Sequence, residues 1–198
     1  LTGASDTFTF DGASHSAPAV SVSDGRLISG DVLRARAIGA ARNVLDTAEG
    51  NNPVAGDYRI LHEGEDVTAN YMIKTQAGTL TILPRDLTIK AKDAIFGYDG
   101  TAHSEPNYDV DGLVEGDALE VIVQGSIRHP DQNPVTNVIT GYRFTAGDEN
   151  NYSVTTENGT LTMNDVPVHS LTIHYVDEEE TKVNDDFVGA YAEDIRNA

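Results

Sequence analysis

One stretch occurs twice in this chain: residues 8–18 read FTFDGASHSAP, and residues 96–106 read FGYDGTAHSEP. Phe, Asp-Gly, His-Ser and Pro recur at an offset of 88 residues. Further blocks match in the same order at offsets of 86, 84 and 81: 27–33 with 113–119, 58–60 with 142–144, 70–71 with 151–152, and 78–81 with 159–162. Ordered blocks with a slowly drifting offset predict a tandem duplication of a unit of roughly 80–90 residues.

The duplication predicts three segments. We expect a first β repeat over residues 1–84, a second over 85–166, and a partial third pattern over 167–198. Pro84 and Pro167 lie at the two short joins, and proline restricts the backbone there. Short, stiff joins are typical of small domains arranged end to end.

The hydrophobic pattern has the period of a β-strand. Leu80 and Ile82, like Leu161 and Met163, alternate with threonine, and glycine, asparagine and aspartate separate such runs. Turns every 8–12 residues predict all-β tandem small antiparallel domains of the Ig-like sandwich type, with a β-grasp-like sheet as the alternative. The dipeptide 158–159, Asn-Gly, predicts a hairpin turn.

One region also fits a helix. Residues 29–45 are rich in alanine and arginine, which are good helix formers. The matching stretch 118–125 alternates as a strand, so we predict a strand over 32–39 and at most a short helical turn at 27–31 and 113–117.

In the pairs Tyr58-Arg59 and Tyr142-Arg143, alternation predicts a core tyrosine and an exposed arginine on a carboxylate.

Composition excludes several functions. The 198 residues carry 13 basic and 32 acidic side chains, a formal charge of −19. Nucleic acid and anionic membrane surfaces are therefore poor partners. No stretch approaches the roughly 20 apolar residues of a spanning helix, so we expect no membrane insertion. The absence of cysteine excludes disulfides, Cys-ligated zinc and a thiol nucleophile.

The negative charge is unevenly distributed. Residues 1–85 carry −3, residues 86–165 carry −10, and residues 166–198 carry −6. If either repeat contacts a polyanionic glycan, the first is the better candidate. Arg34, Arg36 and Arg42 are its candidate contact residues.

The repeated block resembles a known family. Residues 98–101, Tyr-Asp-Gly-Thr, together with 112–117 and the closing stretch 66–82, resemble the MBG/YDG-type repeats of bacterial surface proteins. Residues 1–84 depart from the pattern at Phe10, where the family has tyrosine. The resemblance implies a stalk module of a large secreted or wall-anchored adhesin of Gram-positive bacteria.

The tail resembles a second family. Residues 170–179 and 187–193 look like the first two strands of a mucin-binding (MucBP) domain. This resemblance implies a host mucin, another glycoprotein or a glycan as partner. The acidic runs 177–180 and 184–186 are candidate Ca²⁺ ligands, although a solvated acidic turn is the simpler interpretation. No other cofactor is expected.

Each repeat contains a short Asp-Gly-x-x-His-Ser motif. A catalytic triad brings its groups together from separate segments, whereas these lie on one short stretch without a Gly-x-Ser-x-Gly elbow. We therefore predict no catalytic residue and a structural role for the repeat signature, which consists of Asp11, Gly12, His15, Asp99, Gly100 and His103.

These observations predict a non-enzymatic fragment of an extracellular bacterial adhesin. We expect a monomer within a longer multidomain chain that is anchored to the cell wall outside this sequence. Its repeats would space a mucin-binding region from the cell. In one alternative the repeats themselves bind a glycan or glycoprotein. In another, the chain is a non-catalytic appendage of a carbohydrate-active enzyme.

Overall fold

The computed structural model describes residues 1–165, 168–174 and 187–192. Within these residues the protein is all-β, as predicted, and its helical structure consists of three-residue 3₁₀ turns. The strands are β1 Thr2–Gly3, β2 Asp6–Thr9, β3 Val20–Ser21, β4 Asp31–Arg34, β5 Arg59–His62, β6 Glu65–Asp66, β7 Leu80–Leu83, β8 Arg85–Ala91, β9 Ala94–Phe96, β10 Tyr108–Asp111, β11 Ala118–Gln124, β12 Val135–Ala146, β13 Tyr152–Glu157, β14 Gly159–Met163, β15 Val168–Ile173 and β16 Phe187–Ala192. The 3₁₀ turns are Val44–Asp46, Thr68–Asn70, Pro130–Gln132 and Glu149–Asn151.

The described chain divides into two compact units. Unit one contains Leu1–Thr88, Asp111–Leu119 and Phe144–Thr155. Unit two contains Ile89–Val110, Glu120–Arg143 and the described residues from Thr156 onwards. These units are defined by which residues lie close together, whereas the segments 1–84, 85–166 and 167–198 are defined by the repeat in the sequence. The segments therefore stay a prediction.

Three small sheets form between residues 1 and 83. β1 pairs antiparallel with β3, β2 pairs parallel with β7, and β4, β5 and β6 form an antiparallel meander. The parallel pair joins the second strand to the last one, with Phe8 opposite Ile82.

The second stretch forms two larger sheets. One has the order β10-β8-β13, and the other has the order β11-β12-β14-β9. β14 is antiparallel to β12 and parallel to β9, with Met163 opposite Phe96. An early strand therefore again lies parallel to the last strand of its stretch.

Alternating side chains build the core. In β8, Leu87, Ile89 and Ala91 have no exposed surface, whereas Lys90 is exposed. In β7, Leu80 and Ile82 are buried in the same way. Full burial of a Leu or Ile side chain contributes about 1.5–3 kcal/mol, so these short strands are stabilised mainly by their inward faces.

The predicted strand at 32–39 is shorter in the structure. β4 ends at Arg34, and Ala37 then forms a single bridge to Val54. The helical alternative does not occur, because residues 31–34 pair with β5 along their whole length. At 27–31 and 113–117 the chain makes one turn each, closed by Asp31 N–H to Ile28 O (3.0 Å) and Asp117 N–H to Val114 O (3.1 Å).

The hairpin predicted at Asn158–Gly159 is wrong. The flanking strands β13 and β14 belong to different sheets, so the chain passes from one sheet to the other. Glycine is needed at 159 for close approach: a Cβ there would lie 2.4 Å from the Lys92 carbonyl oxygen and 2.6 Å from that of Ala91. Asn158 instead accepts a hydrogen bond from the Ile139 N–H at 3.0 Å.

In the tail, β15 and β16 pair antiparallel, with Ser170 opposite Ala190. The acidic runs 177–180 and 184–186, for which Ca²⁺ was considered, lie outside the described residues. The same is true of 175–179 and 193 within the segments that resemble a mucin-binding domain.

Candidate functional site

The first Asp-Gly-His motif forms a compact polar turn. Asp11 Oδ1 accepts a hydrogen bond from the Ala13 N–H at 2.8 Å and lies 2.9 Å from His15 Nε2. Gly12 has a φ of 80°, a conformation that glycine adopts at little cost. The His15 ring stacks on Phe8, with centroids 4.4 Å apart. The backbone bond to Ala13, more than the imidazole, lowers the pKa of Asp11.

The second motif has the same geometry. Asp99 Oδ1 accepts from the Thr101 N–H at 2.8 Å and lies 2.9 Å from His103 Nε2. His103 stacks on Phe96 at 4.9 Å, and Gly100 has a φ of 81°. The hydrogen bond from His103, supported by those from Thr101, lowers the pKa of Asp99 to about 2.

The serines that follow the histidines are exposed. Successive side chains of an extended segment point to opposite faces. Ser16 and Ser104 therefore project away from the neighbouring imidazoles, so the motif does not assemble a Ser–His–Asp relay. What the geometry does is hold each loop against its own sheet.

A buried asparagine joins three segments in the first stretch, and the sequence analysis did not identify it. Asn52 has no exposed surface. Its Nδ2 donates to the carbonyl oxygens of Ala4 and Ala17, both at 2.8 Å, and its Oδ1 accepts from the Gly39 N–H at 2.8 Å. A Cβ on Gly39 would lie 2.6 Å from that oxygen, so only glycine fits there.

Asn137 occupies the corresponding place in the second stretch. It is also fully buried, and its Nδ2 donates to the carbonyl oxygens of Lys92 (3.0 Å) and Glu105 (2.8 Å). A Cβ on Gly125 would lie 2.7 Å from Asn137 Oδ1. The joined segments match those of Asn52 at offsets of 85–88 residues.

A tyrosine–aspartate pair closes a turn in the first stretch. The Tyr71 hydroxyl donates to Asp31 Oδ2 and accepts from the Ile28 N–H at 3.0 Å. His62 Nδ1 lies 2.6 Å from the other oxygen of Asp31. The hydrogen bond from Tyr71 is the main cause that lowers the pKa of Asp31, and it raises the pKa of Tyr71 in turn.

Tyr152 and Asp117 repeat this pair. The Tyr152 hydroxyl donates to Asp117 Oδ2 at 2.5 Å and accepts from the Val114 N–H at 3.1 Å. Burial, followed by the bond to Asp117, raises the pKa of Tyr152 to about 12. Both pairs lie inside blocks that repeat in the sequence, so the repeat itself was the signal that could have identified them.

The candidate glycan-contact arginines are all exposed. Arg36 is paired with Asp57, with 3.1 Å between Nη1 and Oδ2. Arg42 lines a cleft of 590 Å³ in unit one. The other charged side chains lining that cleft are the carboxylates of Asp11, Glu115, Asp117 and Asp148. The field in this cleft therefore opposes a polyanion.

The paired Tyr-Arg positions differ in part from expectation. Arg59 lies 3.2 Å from Asp66, and Arg143 contacts Glu120 at 2.7 and 2.9 Å, so both exposed arginines rest on carboxylates as predicted. Tyr58 and Tyr142 are half-buried and are not core residues. Tyr58 lies just before β5, outside the sheet, and Tyr142 lies in β12.

Within residues 1–165, 168–174 and 187–192, no three His, Asp or Glu side chains are grouped as metal ligands. The same described residues contain no helix that is long and apolar enough to span a membrane.

Comparison with known proteins identifies one domain. Neither the curated proteins nor the solved structures contain a match to this chain. Residues 87–162 match the family described as MBG domain (YGX type). They include the Asp99–His103 turn, the buried Asn137 and the Tyr152–Asp117 pair. The MBG-type resemblance is thereby confirmed for this part of the chain: residues 87–162 are similar to MBG domains of the YGX type.

Proposed function

We propose that residues 1–165 are two MBG-type repeats of an extracellular bacterial adhesin. In this proposal they space and present a mucin-binding-like region that begins at about residue 167. The observation that carries it is the recurrence of one set of polar contacts in both stretches. Residues 87–162 already match the MBG family, which is typical of surface proteins.

The recurrence extends beyond the sequence motif. The histidine turn, the buried asparagine and the tyrosine–aspartate pair each occur twice, with partners shifted by 81–88 residues. A fourth case supports the same interpretation: Thr47 Oγ1 accepts from the Ile82 N–H at 2.9 Å, and Asn133 Oδ1 accepts from the Met163 N–H at 2.7 Å. Two unrelated folds would not satisfy equivalent backbone groups with side chains at equivalent positions.

The placement of aromatic rings favours a spacer over a sugar-binding repeat. A glycan platform needs exposed, closely spaced rings. Here Phe10 and Tyr152 are 4% and 7% exposed, and they contact each other edge-on at 5.4 Å. Phe8 and Phe96 are covered by the stacked histidines. The packing of these four rings supports a role in stabilising the domains.

Replacing residues 1–165 by unrelated β domains in a chain displayed on the cell surface tests the spacer function. We would display the whole chain on a bacterium and compare its adhesion to mucin with that of a chain in which unrelated β domains of the same length replace residues 1–165. A spacer predicts equal adhesion. Loss of adhesion in the replaced chain would contradict it and favour repeats that bind on their own.

Charge reversal of three arginines distinguishes the spacer function from the alternative in which the first repeat binds a glycan. The triple variant Arg34→Glu, Arg36→Glu and Arg42→Glu changes the candidate contact residues. We expect unchanged binding to a glycan array, with circular dichroism as the control for folding. Binding that disappears in this variant would support a polyanion-binding first repeat.

A further inference from the structure

Part of the second stretch packs against the first stretch inside unit one. Asn151 belongs to the second stretch and is only 2% exposed. Its Oδ1 accepts a hydrogen bond from the Val44 N–H at 2.9 Å, and its Nδ2 donates to Asn43 Oδ1 at 3.1 Å. Both partners lie in the first stretch, so this buried amide joins segments that are 107 and 108 positions apart.

The first stretch presents these groups on a short turn. Asp46 Oδ2 accepts from the N–H groups of Arg42 and Asn43, both at 2.8 Å. The next N–H along the chain is that of Val44, and Asn151 is its acceptor. The turn therefore satisfies two N–H groups itself and leaves the third to the second stretch.

An apolar contact lies beside the polar one. The rings of Phe10 and Tyr152, both nearly fully buried, meet edge-on with their centroids 5.4 Å apart. Gly12 lies so close to Val114 that a Cβ on the glycine would be 2.8 Å from the valine Cγ1. Separating the two stretches would return apolar surface of these residues to water, which is unfavourable.

The second stretch has the same turn without the donor. Gln132 Oε1 accepts from the Arg128 and His129 N–H groups at 2.7 and 2.9 Å, as the aspartate does in the first stretch. The next residue is Pro130, which has no N–H to donate. The donor to Asn151 is therefore specific to the first stretch, and the two repeats are not interchangeable at this contact.

We infer that residues 10–12 and 43–44, here called the joint face, bind one end of the repeat that follows, and that Asn151 is the residue that the face recognises. The partner is an MBG-type repeat that carries an asparagine before the tyrosine of its tyrosine–aspartate pair. The inference rests on the proposed duplication and spacer function. It adds that the first repeat depends on the second for part of its stability, so the two unfold as a coupled pair and not as independent domains.

Hydrogen exchange of the ¹⁵N-labelled whole chain measures this coupling. Asn151→Ala removes both bonds to the joint face and keeps the backbone bond of its own turn. His15 and Ala41 pair with each other within the first stretch. We expect their amides to exchange at least about tenfold faster in this variant, because the first stretch loses bonds to partly buried groups. The control is Asn70→Ala, at the matching but exposed position of the first stretch, which should change exchange by less than about twofold.

Val44→Pro removes the donor from the other side of the same bond. Asn43 has a φ of −107° and a ψ of 158°, and a residue before proline prefers such an extended conformation. The variant should therefore keep the turn, as Pro130 does in the second stretch. Since both substitutions break one bond, we expect the double variant with Asn151→Ala to exchange within about twofold of Asn151→Ala alone.

Two results would overturn the inference. One is unchanged exchange at His15 and Ala41 in Asn151→Ala, and the other is fold-changes that multiply in the double variant. The amide spectrum of each variant is the control for folding. The outcome is separable from the spacer function, which the adhesion experiment tests. Equal adhesion without coupling would reject the joint face alone, whereas coupling with loss of adhesion would reject the spacer function alone.

Discussion

Replacing Asn52 by alanine tests the central structural contact of the first stretch. The substitution removes three hydrogen bonds of 2.8 Å and leaves the carbonyls of Ala4 and Ala17 and the Gly39 N–H without this partner. The side chain is fully buried, so water does not replace it without rearrangement. At about 1–3 kcal/mol for each buried unsatisfied group, we expect a loss of about 3–5 kcal/mol in the free energy of unfolding.

That loss is large against a typical domain stability of about 5–15 kcal/mol. The assay is urea unfolding of the whole chain, followed by circular dichroism. With a urea slope of about 1–3 kcal/mol/M, a loss of about 3–5 kcal/mol should move the first transition down by about 1–5 M. Hydrogen exchange at the Gly39 and Gly78 amides, on either side of Asn52, reports whether the opening is local.

Matched variants separate hydrogen bonding from packing. Asn52→Asp keeps the shape but turns a carboxylate towards two carbonyl oxygens, so it should destabilise at least as much as Asn52→Ala. Asn137→Ala, which loses two bonds, should cost about 2–3 kcal/mol. Asn70→Ala, at an exposed position, should stay within about 0.5 kcal/mol of the parent. A loss below about 1 kcal/mol in Asn52→Ala would refute the argument.

Three further predictions concern single groups. Folding raises the pKa of Tyr152 to about 12. Its contribution to stability is therefore complete below pH 10 and should be lost as the pH rises from 10 to 12. Ultraviolet titration of the parent against Tyr152→Phe measures the pKa of this tyrosine. Asp99 has a pKa lowered to about 2, so its contribution to stability should be complete above the ordinary aspartate pKa of 3.8 and should disappear as the pH falls towards 2. Carboxyl NMR should show its midpoint rising in His103→Gln, and an unchanged midpoint would contradict the role of the imidazole. Gly39→Ala should destabilise strongly, since a Cβ would lie 2.3 Å from a backbone oxygen, whereas Gly56→Ala, with nothing within 4 Å, should be near neutral in a thermal melt.

Strand existence was largely predictable from the sequence. Alternation in 80–83 and 118–124 predicted β7 and β11, because one inward face must be apolar to build a core. Partner choice was not predictable. Asn158-Gly159 has the composition of a hairpin turn, but the adjacent strands pair with β8 on one side and with β12 and β9 on the other.

The candidate site was predicted only where its residues are close in sequence. The Asp11–His15 and Asp99–His103 turns are local, so the motif and its turn were visible together. Asn52 contacts residues 35 and 48 positions earlier, and nothing in its immediate neighbours marks it as buried.

By itself, the sequence determined the all-β class, the repeated block and the uneven charge, because composition and period two are properties of local stretches. Only the tertiary structure decided which strands share a sheet and which asparagines are buried. These depend on contacts between residues far apart in the chain. The sequence alone does not distinguish a buried asparagine from one on the surface, because burial depends on the backbone groups with which its side chain forms hydrogen bonds.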